Sequence, residues 1–271
     1  MKNNKLHIVV IKTDGIGDAI LASPFLFELR KNFKNAYITG ILSPLGKEVL
    51  DLLGVFDDIK VIDPQWLKYK KVFFIKRWIS AFKLLLLVNK LKPDIAIALR
   101  WQDRLTSLVL SLCNAKKKIG YDAGGMGFGV DTKIPIQQGV HVINKNLNLL
   151  SYLIPDKKFK IKLGISIDKK STDKINKILK EYKIKNYIVI HPVSGHISKD
   201  WGIENYKRLI GMIAKRFKVI IIGGKDDKDA ELISGKNVLN LVGKLSIKET
   251  AALIKNSSFV IGNDSAAVHM A

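Results

Sequence analysis

Short apolar runs alternate with amphipathic stretches along most of the chain, and this rhythm limits the possible folds more than any other feature. Residues 7–11 (HIVVI) read as a buried strand and 19–32 as a helix, its apolar residues recurring every three to four positions. Strands are predicted at 36–42, 59–62 and 94–99, the last after a long amphipathic segment at 75–91. The second half repeats the pattern. Strands are expected at 187–191, 218–222, 238–241 and 259–262, and helices at 203–216, 227–234 and 247–256. Such alternation implies parallel sheets flanked by helices. At 271 residues the chain has room for about two domains. The Lys-rich segment 155–173, ending in the helix start Ser171-Thr172-Asp173, reads as the crossover between them. The expected architecture is α/β, with two Rossmann-like domains at 1–165 and 166–271 facing each other across a cleft. Ligands of such sheets bind beyond the carboxyl ends of the strands, so the strand-to-helix turns matter most.

Composition narrows the partners. Lys plus Arg number 46 against 24 Asp plus Glu, a formal net charge of +22. That excess favours anionic partners, namely phosphorylated substrates, anionic lipid or nucleic acid; a solvated Lys-rich surface accounts for it equally well. No nucleic-acid motif accompanies the charge, so nucleic acid is not an expected partner. The single cysteine, Cys113, excludes an intrachain disulfide and lies in an apolar stretch suited to a buried thiol. No signal-peptide pattern opens the chain and no apolar run is long enough to span a bilayer, which leads to a cytoplasmic expectation. Residues 68–92 (KYKKVFFIKRWISAFKLLLLVNKLK) mix cations with Trp78, Phe82 and leucines, as interfacial helices do.

Three turns could carry chemistry. The first, Lys12-Thr13-Asp14-Gly15-Ile16-Gly17-Asp18, has glycines for a tight bend but lacks the third glycine of a dinucleotide fingerprint. Asp14 and Asp18 fit equally well as helix-start acids, favoured by the macrodipole. The second, residues 191–201 (HPVSGHISKDW), offers hydroxyls, a lysine and an indole that suit a diphosphate or simply cap the following helix. The third, residues 261–269 (IGNDSAAVH), places Asp264 and Ser265 at a helix start, where they suit a phosphate or an ordinary N-cap. Two glycine-rich stretches carry less. Gly223-Gly224 lacks the ending of a P-loop, and residues 124–129 read as a mobile loop. Metal-binding spacings of His and Cys do not occur, so no metal is implied.

Together and in order, these segments resemble glycosyltransferase family 9, the heptosyltransferases of lipopolysaccharide core synthesis. The opening IVVIKTDGIGDAILASPFLFELRKNF, the block PDIAIALRWQDRLTSLVLSLCNAKKKIGYD, HPVSGHISKDW and VIGNDSAAVHMA match the family's blocks from about residue 6 onward, and His141 begins a stretch like its His-x-x-x-x-x-Leu helix. The resemblance implies a GT-B fold, with the acceptor on the N-terminal domain and the nucleotide sugar on the C-terminal one. It implies an inverting, metal-independent transfer of a heptose or related sugar from an ADP-sugar to the lipopolysaccharide inner core, with no cofactor. Asp18 matches the general base and Lys199 the lysine that offsets charge on the leaving diphosphate. Ser194, Asp264, Ser265 and His269 match positions lining the nucleotide, Asp227 matches a ribose contact, and Lys12 and Arg100 are candidate acceptor contacts. The acceptor would be lipid-anchored, and the enzyme would work at the cytoplasmic face of the inner membrane against an anionic surface. Departures from the pattern are Ala266 in place of the usual glycine, Asp227 in place of the longer Glu, and an end at Ala271 where the family continues, so a truncated C-terminal domain is expected. The alternative is a catalytically silent basic protein of the same fold that binds membrane surfaces or anionic ligands.

Overall fold

The computed structural model describes residues 5–67, 74–136 and 138–271. The chain divides into two compact units, Met1–Gly164 and Ile165–Ala271.

The first unit is built on strands β1 (His7–Lys12), β2 (Tyr37–Leu42), β3 (Asp58–Val61), β4 (Ile95–Ala98), β5 (Lys117–Tyr121) and β6 (Thr132–Ile134). All pair in parallel, in the order β3-β2-β1-β4-β5-β6. Apolar side chains fill both faces of β1 from Ile8 to Ile11, as a parallel strand covered on both sides requires. Val9, Ile11 and Ile41 pack on one face against Ala81, Leu84 and Val88 of helix α3 (Phe74–Leu91) and Val109 and Leu110 of α4 (Arg104–Leu112). Helices α1 (Ile16–Asn32) and α5 (Val142–Ser151) pack together. Between β2 and β3 lies α2 (Pro44–Leu50), capped by Ser43, with proline in its first turn. Cys113 is buried beside the Leu110 carbonyl, and burial pushes its thiol pKa up, as suits an inert core thiol.

Helix α1 begins earlier than the predicted residue 19, because Gly15 takes the N-cap position in extended backbone. Its interior Pro24 has no N–H to give the Ile20 carbonyl. The Ser23 hydroxyl donates to that carbonyl instead, at 2.6 Å, and itself accepts from the Gly164 N–H at 2.8 Å. The helix therefore runs on through its proline.

The second unit has α6 (Lys169–Glu181), β7 (Tyr187–His191), α7 (Ile203–Ile213), β8 (Lys218–Ile221), α8 (Lys228–Glu231), β9 (Val238–Asn240), α9 (Ile247–Lys255), β10 (Phe259–Gly262) and α10 (Ala266–Met270). Its sheet is parallel in the order β10-β7-β8-β9. One core sets Val189 and Ile220 against Ile175, Ala252 and Leu253; the other sets Ile190 and Ile221 against Tyr206, Ile210 and Ala230.

Helix boundaries of the second unit differ from expectation: α7 ends at Ile213, short of the predicted 216. Helix α6 starts before Ser171-Thr172-Asp173 because Asp168 is its cap, accepting from the Ser171 N–H at 2.6 Å. Helix α8 is shorter than the predicted 227–234. The Asn240 amide donates to the carbonyls of Ala230, Glu231 and Ile233, which ends the helix. The stretch 124–129, read as a mobile loop, is a set of turns held against α4. The Ser111 hydroxyl donates to the Met126 carbonyl, and the Gly127 N–H donates to Asp122.

In each sheet the crossovers leave in opposite directions from one adjacent pair of strands, β1 with β4 and β7 with β10. A crevice opens beyond the carboxyl ends of such a pair, and ligands of open α/β sheets bind there. All three turns singled out from the sequence lie at these two points.

Candidate functional site

In the first unit the turn after β1 meets the end of β4. Asp14 is buried there, with one carboxylate oxygen paired to Lys12 and the other accepting from Arg100 Nη1 at 2.6 Å. Its own carbonyl accepts from the Ser43 hydroxyl at 2.7 Å, which ties the turn to the cap of α2. Burial alone would raise the Asp14 pKa, but Lys12 and Arg100 reverse this and hold it below the ordinary carboxylate value. Asp14 is therefore no helix-start acid: it precedes the N-cap and serves as the shared counter-ion of two cations. Lys12 is only 3% exposed, its ammonium engaged by Asp14, so it offers no free charge to a ligand.

Asp18 is placed differently. It is exposed in the first turn of α1 and makes no hydrogen bond or ion pair with the described residues. It lines a cavity of about 480 Å³ together with Asp14, Ser43, Asp63 and Arg100. Burial works against the charge on Arg100, but Asp14, Asp103 and Asp18 more than compensate and raise its pKa, so the guanidinium stays charged beside the carboxylate. The Thr13 hydroxyl, also on the cavity wall, is buried without a hydrogen-bond partner among the described residues.

In the second unit the turns after β7 and β10 are brought together. Lys199 pairs with Asp264, and His269 Nε2 stands 3.6 Å from the other Asp264 oxygen. The hydrogen bond from Lys199, with the charges of Lys199 and His269, lowers the Asp264 pKa. Ser265 occupies the N-cap position of α10 without capping it; its hydroxyl lies 3.1 Å from His191 Nδ1. Burial lowers the His191 pKa, opposed by the charge of Asp227. Ser194 Oγ accepts from the His196 N–H within its own loop. Asp227 turns one carboxylate oxygen back onto the Gly224 N–H at 2.6 Å and thereby closes the Gly223-Gly224 turn.

Two organising residues were not singled out in the sequence. Asn263 is buried between the two turns. Its side-chain oxygen accepts from the Trp201 N–H at 3.2 Å and the Tyr206 hydroxyl at 2.9 Å, while its amide donates to Asp200 at 3.4 Å. Asp103 caps α4 by accepting from the N–H groups of Leu105 and Thr106, and it also accepts from the Trp66 indole at 2.7 Å. An Asp two residues before the periodic leucines of α4 is a helix-start signal. Asn263 had no such signal, since only the meeting of two distant turns gives it a role.

The chain is similar to known proteins over most of its length. A family model described as glycosyltransferase family 9 (heptosyltransferase) matches residues 87–271. Lipopolysaccharide heptosyltransferase 3 of Escherichia coli is 27% identical over 269 residues, which cover 94% of this chain and 77% of that protein. The lipopolysaccharide core heptosyltransferase OpsX of Haemophilus influenzae is 26% identical over 278 residues, covering 97% and 75%. Among solved structures, a glycosyl transferase family 9 protein of Veillonella parvula matches with a TM-score of 0.82 at 21% identity, over 100% of this chain and 78% of that one. The Escherichia coli heptosyltransferase WaaC with ADP-2-deoxy-2-fluoro heptose matches at 0.74 and 16%, over 98% and 85%. These structural likenesses show that the fold is the α/β architecture of GT-B heptosyltransferases. The family match spans the greater part of the chain, which is thus a glycosyltransferase belonging to glycosyltransferase family 9 (heptosyltransferase).

Proposed function

We propose that the chain transfers a heptose from an ADP-activated donor to the inner core of lipopolysaccharide, with inversion and without a metal. The acceptor hydroxyl oxygen attacks the anomeric carbon as the bond from that carbon to the diphosphate breaks. The hydroxyl proton passes to the Asp18 carboxylate, and the diphosphate leaves with its added charge offset by Lys199. The first unit (the proposed domain 1–165) holds the acceptor, and the second (166–271) holds the nucleotide sugar.

One observation carries this reading: Asp18 is an exposed carboxylate without a bonding partner among the described residues, on the wall of a cavity that also presents a fixed guanidinium. A general base needs a carboxylate oxygen that has no other partner and lies within reach of a bound hydroxyl. Arg100, steadied by Asp14, suits an acidic or phosphorylated acceptor group. Lys12 acts one step back, by holding Asp14. On the donor side, Lys199, Ser194, Asp264, Ser265 and His269 offer an ammonium, hydroxyls and an imidazole to a diphosphate, and Asp227 keeps one carboxylate oxygen for a ribose hydroxyl. The curated relatives are named as lipopolysaccharide heptosyltransferases, and the acceptor they point to would place the enzyme on the cytoplasmic face of the inner membrane.

The test is Asp18→Asn, assayed with ADP-heptose and a truncated core acceptor and titrated with ADP by calorimetry. Transfer is expected to fall by at least about a hundredfold while ADP affinity stays unchanged. An Asn variant that retains near-wild-type transfer would remove Asp18 as the base. Transfer from UDP- or GDP-sugars in preference to ADP-heptose would overturn the donor assignment.

A further inference from the structure

Helix α3 has two apolar faces, one of them buried in the core of the first unit and the other exposed. Ala81, Leu84 and Val88 are buried in the core of the first unit. On the opposite side, Ile75, Trp78, Ile79, Phe82 and Leu86 form a continuous stripe over about 100° of the helix circumference, each residue 43 to 65% exposed. Isolated exposed apolar residues are ordinary, whereas five on one face, two of them aromatic, mark an interaction surface.

The charges beside the stripe indicate what covers it. Lys76, Lys83 and Lys90 stand seven residues apart, so they form a row along one edge of the stripe, and all three are exposed. The helix has no Asp or Glu anywhere along its length. A second copy of the chain docked face to face on this stripe would bring the two lysine rows into one interface, and like charges there repel. An anionic bilayer satisfies both features at once: the stripe enters the interfacial region and the lysines lie at headgroup level. No helix among the described residues is long and apolar enough to cross a membrane, so the contact would lie in the plane of the surface.

We propose that the Ile75–Leu86 face of α3 is a docking surface for anionic lipid bilayers. Its position adds a consequence. Ser80, on the same helix, donates its hydroxyl to the Asp63 carbonyl at 2.9 Å, and Asp63 with Pro64 lines the cavity that holds Asp18. If the chain acts as proposed above, the docked helix, tied through Ser80 to the cavity wall, would bring that cavity to the bilayer from which a lipid-anchored acceptor rises.

The experiment is flotation of the purified chain with vesicles of phosphatidylcholine alone and of phosphatidylcholine mixed with phosphatidylglycerol. The wild type is expected to float with the mixed vesicles and hardly at all with the neutral ones. The double variant Ile79→Ser/Phe82→Ser should lower partitioning by at least about tenfold, because apolar area leaves the interface. The triple variant Lys76→Glu/Lys83→Glu/Lys90→Glu should lower it by at least about fivefold for each lysine. Lys207→Glu/Lys215→Glu/Lys236→Glu makes the same charge change at a shallow basic depression on the second unit, and is expected to cost clearly less. All the altered side chains of α3 are exposed, and melting followed by circular dichroism verifies that the variants fold. Four results would each overturn the docking surface: no flotation of the wild type, undiminished flotation of the α3 variants, equal loss from the two lysine triples, or self-association that the stripe variant abolishes without affecting vesicle binding. Flotation requires neither donor nor acceptor, so a failed transfer assay and a failed flotation are separate outcomes.

Discussion

Asp14 and Asp18 stand four residues apart in one turn and live in opposite surroundings. Asp18 faces solvent, while Asp14 is enclosed with its charge divided between Lys12 and Arg100. In the sequence both read as acids at a helix start, because spacing does not reveal which of them is covered. Arg100 lies 86 positions from Asp14, and only the pairing of β1 with β4 brings them together. The consequence for stability has a definite sign. The folded pKa of Asp14 is lowered, so its contribution is complete above the ordinary carboxylate range and disappears as pH falls through the folded value. Asp14→Asn should therefore cost about 3 kcal/mol at neutral pH, since two cations lose their partner. That deficit should shrink as pH falls below about 4, where the unfolded chain's Asp14 takes up a proton that the folded carboxylate still excludes. Urea titrations of both proteins at neutral and acid pH provide the check, and a deficit that stays constant would contradict the counter-ion role.

At the scale of elements, the apolar runs were legible because a buried parallel strand has to be apolar on both faces. β7 and β10 fall where the runs predict them, and β1 extends only one residue further. β5 and β6 carry no such run: KKIGY opens on two lysines, and TKI is three residues long. They form because strands already in place offer them an edge. The overextension of α8 has the same character, since the side chain that ends it comes from Asn240, beyond the helix. Asn263 is the extreme case, a single side chain that joins two turns. Asn263→Ala leaves the Tyr206 hydroxyl and the Trp201 N–H unpaired, and is expected to destabilise the protein by about 1–3 kcal/mol. It should also weaken ADP binding, because the turn carrying Asp264 and Ser265 loses its tie to the loop of Lys199. Denaturant unfolding and calorimetric titration test the two halves of this expectation, and unchanged values in both would show that the turns hold their register without it.

Over the whole molecule, two sheets with separate cores each place a well-covered strand at the switch point. Native-state hydrogen exchange should show two maxima of protection, one over β1 and β4 and one over β7 and β8, with the edge strands β3, β6, β9 and β10 exchanging earlier. A single maximum, or the strongest protection at an edge strand, would contradict that picture. The family architecture was readable from the order of motifs, but the cores and the charge pairs at the switch points required the pairing of strands.

The two switch points share a further device: in each, an acid from one turn grips a cation from the other. In the first unit the carboxylate of the grip is buried and the guanidinium half-buried, so the pair behaves as a rivet, fixed before any ligand arrives. In the second, Lys199 and Asp264 are each about half exposed, so their bond is worth little and works as a latch. On the proposed function, an incoming diphosphate would take over the ammonium merely by displacing a neighbouring carboxylate. On that reading, rigidity is set where an acceptor hydroxyl would be aimed, and exchangeability where the diphosphate would depart.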